Sequence, residues 1–298
     1  MTDSTWMRRM QRKLRAAAFR MTSAEFVSKV YFRIVLKRKL HLDAPKSFNE
    51  KLQWLKLYYW PNEDKAIQCA DKYAVREYIR SIGKESVLNE LYDVWDDTND
   101  IVWDDLPDSF VLKCNHGCGY NIICPDKKLL DRAETIRQLD QWMHENYSEF
   151  GAEMHYAKIP RKIVCEKYLG DRVINYNIYV FNGKAVFLSV AGGLGDGKDE
   201  HLTYYYPDGR MAPFRNARFE AKEEELSPLL PDMIDMAESL SEGFPMVRVD
   251  LFDIEGHIVL SEMTFTPGCA LIPFSPDGAD AAIGDLLDIS ALIRTYEN

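Results

Sequence analysis

The chain is short of every feature that would thread it through a membrane or hold it together covalently. None of its apolar runs approaches the roughly 18 residues that a membrane span needs. The opening "MTDSTWMRRMQRKLRAAAFRMT" lacks the continuous apolar stretch of a secretory signal. Cysteine is scarce, with six in 298 residues, at positions 69, 114, 118, 124, 165 and 269. The Cys114-x3-Cys118 spacing has no matching pair elsewhere, so a paired-thiol zinc site is not expected. The thiols read instead as reduced, small, buried or loop residues of a cytoplasmic protein. Internal repeats, low-complexity segments, a G-x-S-x-G elbow and a full P-loop string are also missing, so a solenoid, a nucleophile-elbow hydrolase or a P-loop enzyme has no motif to rest on.

What is present is an ordinary globular composition, 46% apolar and 28% charged, long enough for two or three lobes. The net charge of −10 covers an asymmetry. Residues 1–46 carry twelve Lys or Arg against three Asp or Glu, and the remainder carries 25 against 44. A basic amphipathic start such as "WMRRMQRKLRAAAFRM" suits a solvated helix lying on its own acidic body. Contact with an anionic membrane or another acidic partner is the alternative. Nucleic acid is not among the expected partners.

Residues 1–95 read as mostly helical. In "SFNEKLQWLKLYYW", Ser47 stands three residues before Glu50 in a capping-box pattern, and Leu52, Leu55 and Tyr59 follow at helical spacing until Pro61 and Asn62. "DKYAVREYIRSIG" predicts a second helix closed by Gly83. From about residue 100 the texture changes to short β-like runs, "FVLKC", "KIVCEKYL", "INYNIYVF" and "KAVFLSV", interrupted by a helix at about 129–147. "FNGK" marks an Asn-Gly hairpin turn. "AGGLGDGKDE", around 191–201, reads as a loop, and "LPDMIDMAESLSEGF" as a helix ending at Gly243. Interleaved strands and helices indicate an α+β fold.

Two stretches carry chemistry. In "FVLKCNHGCGYNIIC", a strand ending in Lys113 sets an ammonium at a sheet edge. Gly117 and Gly119 would let backbone N–H groups approach an anion without Cβ interference. By itself the pattern is weak, because a Lys followed by glycines is commonly a solvated turn. The second stretch is the hairpin "VRVDLFDIEGHIVLSEMTF". A three-residue turn at Ile254-Glu255-Gly256 would pair Asp253 with His257, Asp250 with Leu260, and Arg248 with Glu262. Alternation then groups Arg248, Asp250, Glu262 and Thr264 on an open polar face. Val247, Val249, Leu251, Val259, Met263 and Phe265 fall on the core side. Two carboxylates, a hydroxyl and a guanidinium suit Mg2+ bound to a phosphate; an exposed Arg–Glu cross-strand pair is the competing reading.

In their order along the chain, "DKYAVREYI", "FVLKCNHGCGYN", "KIVCEKYL" and "VRVDLFDIEGHIVLSEMTFTPG" resemble the ATP-grasp superfamily. "SFNEKLQWLKLYY" and "FVLKCNHG" resemble its TupA-like branch, associated with teichuronopeptide and other surface polysaccharides. The likeness spans about residues 45–275. It implies ATP and Mg2+ as cofactors and two α+β lobes gripping the nucleotide. It implies a basic helical segment over 1–45 and a helical region over 46–100, then a small lobe with a Gly-rich lid over 101–170. A large lobe with the metal-binding hairpin would occupy 171–298.

By resemblance, Lys72 and Lys113 hold phosphates, and Gly117 and Gly119 form the lid. Glu166 accepts from the adenine amine while the backbones of Lys167 and Leu169 meet the adenine edge. Asp250, Glu262 and Thr264 hold the metal, and Arg248 faces the triphosphate and the charge that develops on transfer. His116, in the lid segment, joins Arg248 and Lys72 as a catalytic candidate. Thr264 departs from the Asn usual at the third metal position, and Asn177 stands where the branch often has a charge. The helical basic start does not resemble the βαβ substrate domain of the superfamily's amino-acid ligases. The implied reaction is amide formation between an amino-acid amine and a uronic-acid carboxylate of a polysaccharide or its precursor, through an acyl phosphate. A phosphotransferase or glycosyltransferase, or a non-enzymatic membrane-associated module, are the competing functions.

Overall fold

The computed structural model describes residues 3–171, 173–192 and 201–297. The expected loop at 191–201 falls largely outside them. The chain opens with helices α1 (Asp3–Met21) and α2 (Ala24–Leu36). Next comes α3 (Phe48–Trp54), whose capping box between Ser47 and Glu50 is formed in both directions. The helix runs on through a π turn over Leu55–Tyr59 and stops in the 3-10 turn Trp60–Asn62, where proline has no N–H to continue the ladder. Helices α4 (Asp64–Ala70) and α5 (Val75–Ser81) follow, and Gly83 takes a positive φ of 68° just past the end of α5. Lys72 and Tyr73 therefore sit in the turn between the two helices, not in the helix that "DKYAVREYIRSIG" predicts.

Strands β1 (Leu91–Trp95), β2 (Phe110–Cys114) and β3 (Asn121–Cys124) come next, then helices α6 (Arg132–His144) and α7 (Ser148–Gly151), then β4 (Ile163–Glu166). These strands make an antiparallel sheet in the order β1-β4-β2-β3. Its edge strand begins at residue 91, upstream of the boundary at 101 expected for the small lobe. One face buries Phe110, Leu112, Cys114, Cys124, Ile163 and Cys165 with Trp103, Tyr120 and Leu139. Three of the six thiols thus belong to this core, and burial pushes those of Cys114 and Cys165 up to about 12. All six cysteines are free.

The second sheet is formed by β5 (Asn175–Phe181), β6 (Lys184–Gly192) and β7 (His201–Tyr205), and by two later strands. Short β8 (Arg215–Asn216) and helix α8 (Leu230–Leu240) lie between. The later strands are β9 (Met246–Ile254) and β10 (His257–Thr264), and the sheet order is β10-β9-β5-β6-β7. Asn182 and Gly183, with φ of 49° and 82°, close the two-residue turn between β5 and β6. Strand β11 (Phe274–Ser275) pairs with β8, and α9 (Ala279–Asp285) and α10 (Ser290–Glu297) end the chain. Helix α3 is the bracket of this half. Phe48 packs among Tyr179, Phe181, Phe187 and Phe274. Asn49 exchanges hydrogen bonds with the backbone of Ile272 at 2.8 Å each way, and Gln53 donates to the Ala270 carbonyl at 3.0 Å.

Candidate active site

The β9–β10 hairpin has a shorter turn than the sequence suggests. Glu255 and Gly256, both at positive φ, close a two-residue loop, so His257 pairs with Ile254 and Leu260 with Leu251. Continued to the strand ends, that register would put Asp250 and Glu262 on opposite faces. A bulge between Leu260 and Glu262 adds one residue and restores the phase, leaving Glu262 opposite Asp250 and Thr264 opposite Arg248. The grouping of the four polar residues survives, by a route the alternation pattern does not reveal. Beyond the bulge the inward residue is Leu260, while Val259 is only partly buried.

The polar face is not open. Asp250 is 1% exposed, and the other three are partly covered. Arg248 grips the Asp250 carboxylate with both prongs, at 2.7 Å from Nε and 2.5 Å from Nη2. Its Nη2 also reaches Glu262 Oε1 at 3.4 Å and Thr264 Oγ1 at 3.1 Å. Burial, assisted by the nearby Glu262 charge and opposed by Arg248, pushes the Asp250 carboxyl up to about 7. Burial opposes ionisation of Glu262 as well, but Lys72 and Arg248 outweigh it and hold that carboxyl below its ordinary value. On the neighbouring strand Asn177 lies opposite Asp250. In the orientation that satisfies both neighbours, its amide nitrogen donates to the Asp250 carboxylate at 3.2 Å and its oxygen accepts from Ser189.

Facing this ribbon is the β2–β3 loop, residues 115–120. Lys72 spans the gap, with Nζ donating to the Gly117 carbonyl at 2.7 Å and standing 3.6 Å from Glu262 Oε2. The turn that carries Lys72 is fixed to the same loop. Asp71 accepts from the backbone N–H groups of Tyr73 and Ala74, and from the Asn115 amide at 2.8 Å. Asn115 also donates to the Pro160 carbonyl and accepts from the Lys162 N–H. Gly117 is there because nothing larger fits: a Cβ would lie 2.7 Å from a Tyr147 ring carbon and 2.8 Å from one of Tyr120. Gly119 meets a different demand, a φ of 74° with open space around it. Cys118 is exposed between them.

His116 does not face the crevice chemistry that its place in the lid suggests. Its ring is buried against Tyr120, with Nε2 3.1 Å from the Trp142 carbonyl, and burial lowers its pKa to about 4. The ring is neutral at pH 7 and serves the packing under the lid.

Just before the loop, near the end of β2, Lys113 donates to Glu166 Oε2 at 2.7 Å, and Arg76 approaches Glu166 Oε1 at 3.3 Å. The Glu166 carboxylate is therefore already held between two cations. Past it, the Lys167 N–H donates to the Glu90 carbonyl, and the Lys167 carbonyl accepts from Asn89 at 2.9 Å. That N–H is committed, while the carbonyl keeps one lone pair. Leu169 is half-buried on the segment that leads into β5.

The two sheets thus oppose a cationic strand end with a Gly-bearing loop to a buried acidic ribbon, with Lys72 tying them together. A family model described as TupA-like ATPgrasp matches residues 50–288. The chain belongs to the TupA-like ATP-grasp family. This ATP-grasp protein is by class an ATP-dependent ligase, with a mixed α+β architecture. No curated protein matches it. Among solved structures it is similar to D-alanine–D-alanine ligase from Bacillus anthracis complexed with ATP, at 15% identity and a TM-score of 0.45, over 78% of this chain and 69% of that one. The corresponding enzyme from Helicobacter pylori gives 16% and 0.43, over 81% and 68%. An L-amino acid ligase from Bacillus licheniformis gives 14% and 0.43, over 68% and 44%.

The residues of this ATP-grasp protein suit the ion its class uses. Mg2+ takes hard oxygen donors, commonly one or two carboxylates completed by phosphates and water. Asp250, Glu262 and Thr264 supply two carboxylates and a hydroxyl. Among the described residues no group of three or more His, Cys, Asp or Glu converges, so an all-protein cage is not built. A separate cavity of about 870 Å³ is lined by Asp235, Glu238, Glu242 and Asp288 and by no Lys or Arg, which does not suit a triphosphate.

Sequence reasoning missed Asp71, Arg76 and Asn115, which hold the site in place. Only one of them leaves a local trace: Asp71, two residues before Tyr73, has the spacing of an Asx turn.

Proposed function

We propose that this protein joins the amine of an amino acid to a uronic-acid carboxylate of a surface polysaccharide or its precursor, using ATP and Mg2+. In the first step a carboxylate oxygen of the acceptor attacks the γ-phosphorus of ATP, the bond to the β-phosphate oxygen breaks, and ADP leaves. In the second step the amine nitrogen attacks the acyl phosphate, phosphate departs, and the nitrogen gives up a proton to leave an amide.

Lys113 and Lys72 would bind phosphate oxygens, and the loop bearing Gly117 and Gly119 would cover them. Arg248 would leave Asp250 and Glu262 for the triphosphate, where its fork can follow the charge that develops on transfer. Asp250, Glu262 and Thr264 would hold Mg2+, which when bound neutralises phosphate charge. The adenine would lie along Glu166–Leu169, meeting the Lys167 carbonyl and the Leu169 backbone. Glu166, already gripped by Lys113 and Arg76, is better placed to orient Lys113 than to receive the adenine amine unaided. The basic region 1–46 would bring the enzyme to an anionic membrane from the cytoplasmic side.

The observation that carries this reading is the position of Lys72 Nζ, 2.7 Å from the lid carbonyl of Gly117 and 3.6 Å from Glu262. One ammonium marks the point where lid and acidic ribbon converge. The test is to incubate the purified protein with Mg2+, ATP, uronic-acid oligomers and a panel of amino acids. Release of ADP and phosphate is expected only when acid and amine are both present. Hydroxylamine should trap the acyl phosphate as a hydroxamate. Absence of hydroxamate with every acid tried, alongside ATP turnover that ignores the amine, would sink the ligase chemistry.

A further inference from the structure

Helix α2 is anchored by one face and leaves the opposite one uncovered. Val27, Ser28 and Phe32 are buried in the main core, and Ser23 caps the N-terminus by accepting from the Phe26 N–H. On the outer side, Phe26, Val30 and Ile34 recur every fourth residue and are 54%, 37% and 54% exposed. Such spacing makes a continuous apolar stripe. Beside it, Lys29 and Arg33 of α2 join Lys39, Leu40, His41, Leu42 and Asp43 in lining a cavity of about 410 Å³. Three lysine or arginine side chains and a histidine thus surround that cavity against one aspartate. Lys29 is partly offset by Glu25 at 2.5 Å, whose other oxygen accepts from Tyr58. Among the described residues Arg33, Lys37 and Lys39 form no ion pair.

Two described arginines of α1 are used differently. Arg20 pairs with Glu149 at 2.9 Å, and Arg12 lies 3.7 Å from Glu145 and over the rings of Tyr120 and Phe150. Those described arginines are spent on the body of the protein, close to the lid, as expected for a basic helix lying on its own acidic surface. Among the described residues, α2 and the segment after it therefore carry positive charge that no carboxylate pairs.

We propose that the outer face of α2 is an interfacial docking surface for anionic phospholipid: Phe26, Val30 and Ile34 enter the acyl boundary while Lys29, Arg33, Lys37 and Lys39 meet the headgroup phosphates. The stripe decides between acidic partners. A charged polysaccharide or nucleic acid could satisfy the cations but offers no apolar phase for three large side chains, whereas a membrane interface supplies both. The 410 Å³ cavity gives one headgroup a place beside the stripe. This surface deepens the membrane part of the function proposed above and is independent of its ligase part.

The test uses the full-length protein without ATP or acceptor, so it reads the surface apart from the chemistry. Co-sedimentation with vesicles of phosphatidylglycerol in phosphatidylcholine should show binding that grows with the anionic fraction, and none to pure phosphatidylcholine. Replacing Lys29, Arg33 and Lys39 by Gln should weaken partition on the order of a hundredfold, taking about a fivefold loss for each cation near an anionic surface. Phe26→Ser with Val30→Ser and Ile34→Ser should weaken it by at least about tenfold, and high salt should rescue none of that loss. Both variants should keep the wild-type far-ultraviolet circular dichroism and the wild-type affinity for an ATP analogue. The proposal is overturned if vesicle binding is absent or unchanged in both variants. It is also overturned if the cations bind polygalacturonate equally well with the stripe removed and vesicles not at all, or if the stripe instead mediates self-association in sedimentation velocity.

Discussion

Adding one methyl group at Gly117 perturbs the lid more than its size suggests. The new Cβ would meet Tyr147 Cδ2 at 2.7 Å, Tyr147 Cγ at 2.8 Å and Tyr120 Cε2 at 2.8 Å, where carbon atoms ordinarily rest at about 3.5–4.0 Å. Neither ring can yield freely. Tyr120 is fully buried, stacked on Trp142 at 5.1 Å, with its hydroxyl donating to Glu145 at 2.7 Å. Tyr147 is wedged edge-on against Tyr156 at 5.0 Å. If the rings hold, the loop must lift, and the 2.7 Å bond from Lys72 to the Gly117 carbonyl goes with it. Overpacking of this kind costs about 1–3 kcal/mol. For a chain of this length that is a fall in Tm of roughly 2–5 °C. Gly119→Ala is the matched control: it meets no neighbour within 4 Å and suffers only from its φ of 74°, roughly 1–2 kcal/mol. Gly117→Ala should therefore weaken binding of a non-hydrolysable ATP analogue by at least about tenfold in calorimetry, and Gly119→Ala by less. A Gly117→Ala protein with wild-type Tm and wild-type affinity would refute the claim that this glycine exists to seat the lid on the tyrosines.

Glu166→Gln removes the shared counter-charge of Lys113 and Arg76, both largely buried, and should destabilise the protein by roughly 3 kcal/mol in urea denaturation. Asp250 should give a pH signature. Its folded value of about 7 stands above the ordinary 3.8, so the folded state holds this proton more tightly, and the associated stability fades as pH rises from about 4 through 7. A cation favours the ionised form, so the Mg2+-dependent part of nucleotide affinity should increase from pH 6 to pH 8 in calorimetry. Asp250→Asn should abolish that part and flatten the profile. His116→Gln should leave the pH dependence of turnover unchanged, because the ring is already neutral across that range, while lowering Tm through the lost packing on Tyr120.

Much of the site was legible because it rests on local rules. The capping box at Ser47, the Asn-Gly turn at 182–183 and the two-fold alternation of β9 each depend on a few neighbouring residues. The turn at Glu255-Gly256 and the bulge after Leu260 were not legible, because two one-residue register shifts add to two and leave the same residues on one face. Burial of Asp250 was equally hidden. Its strand reads as half polar, and it is Arg248, forked over the carboxylate, and Asn177 on the neighbouring strand that meet it in the fold. His116 shows the converse: a histidine in a glycine-rich segment suggests chemistry, yet the ring turns under the lid toward α6. Asn115 and Arg76 act through partners 44 and 90 residues away, which no spacing rule reaches.

The most direct measurement is a crystal structure of the protein soaked with Mg2+ and a non-hydrolysable ATP analogue. The triphosphate should lie between the loop at Gly117–Gly119 and the β9–β10 ribbon, with Mg2+ on Asp250 and Glu262 and Arg248 turned from Asp250 to the phosphates. A nucleotide bound elsewhere, with Arg248 still forked on Asp250 and Lys72 still on Gly117 and Glu262, would contradict the account.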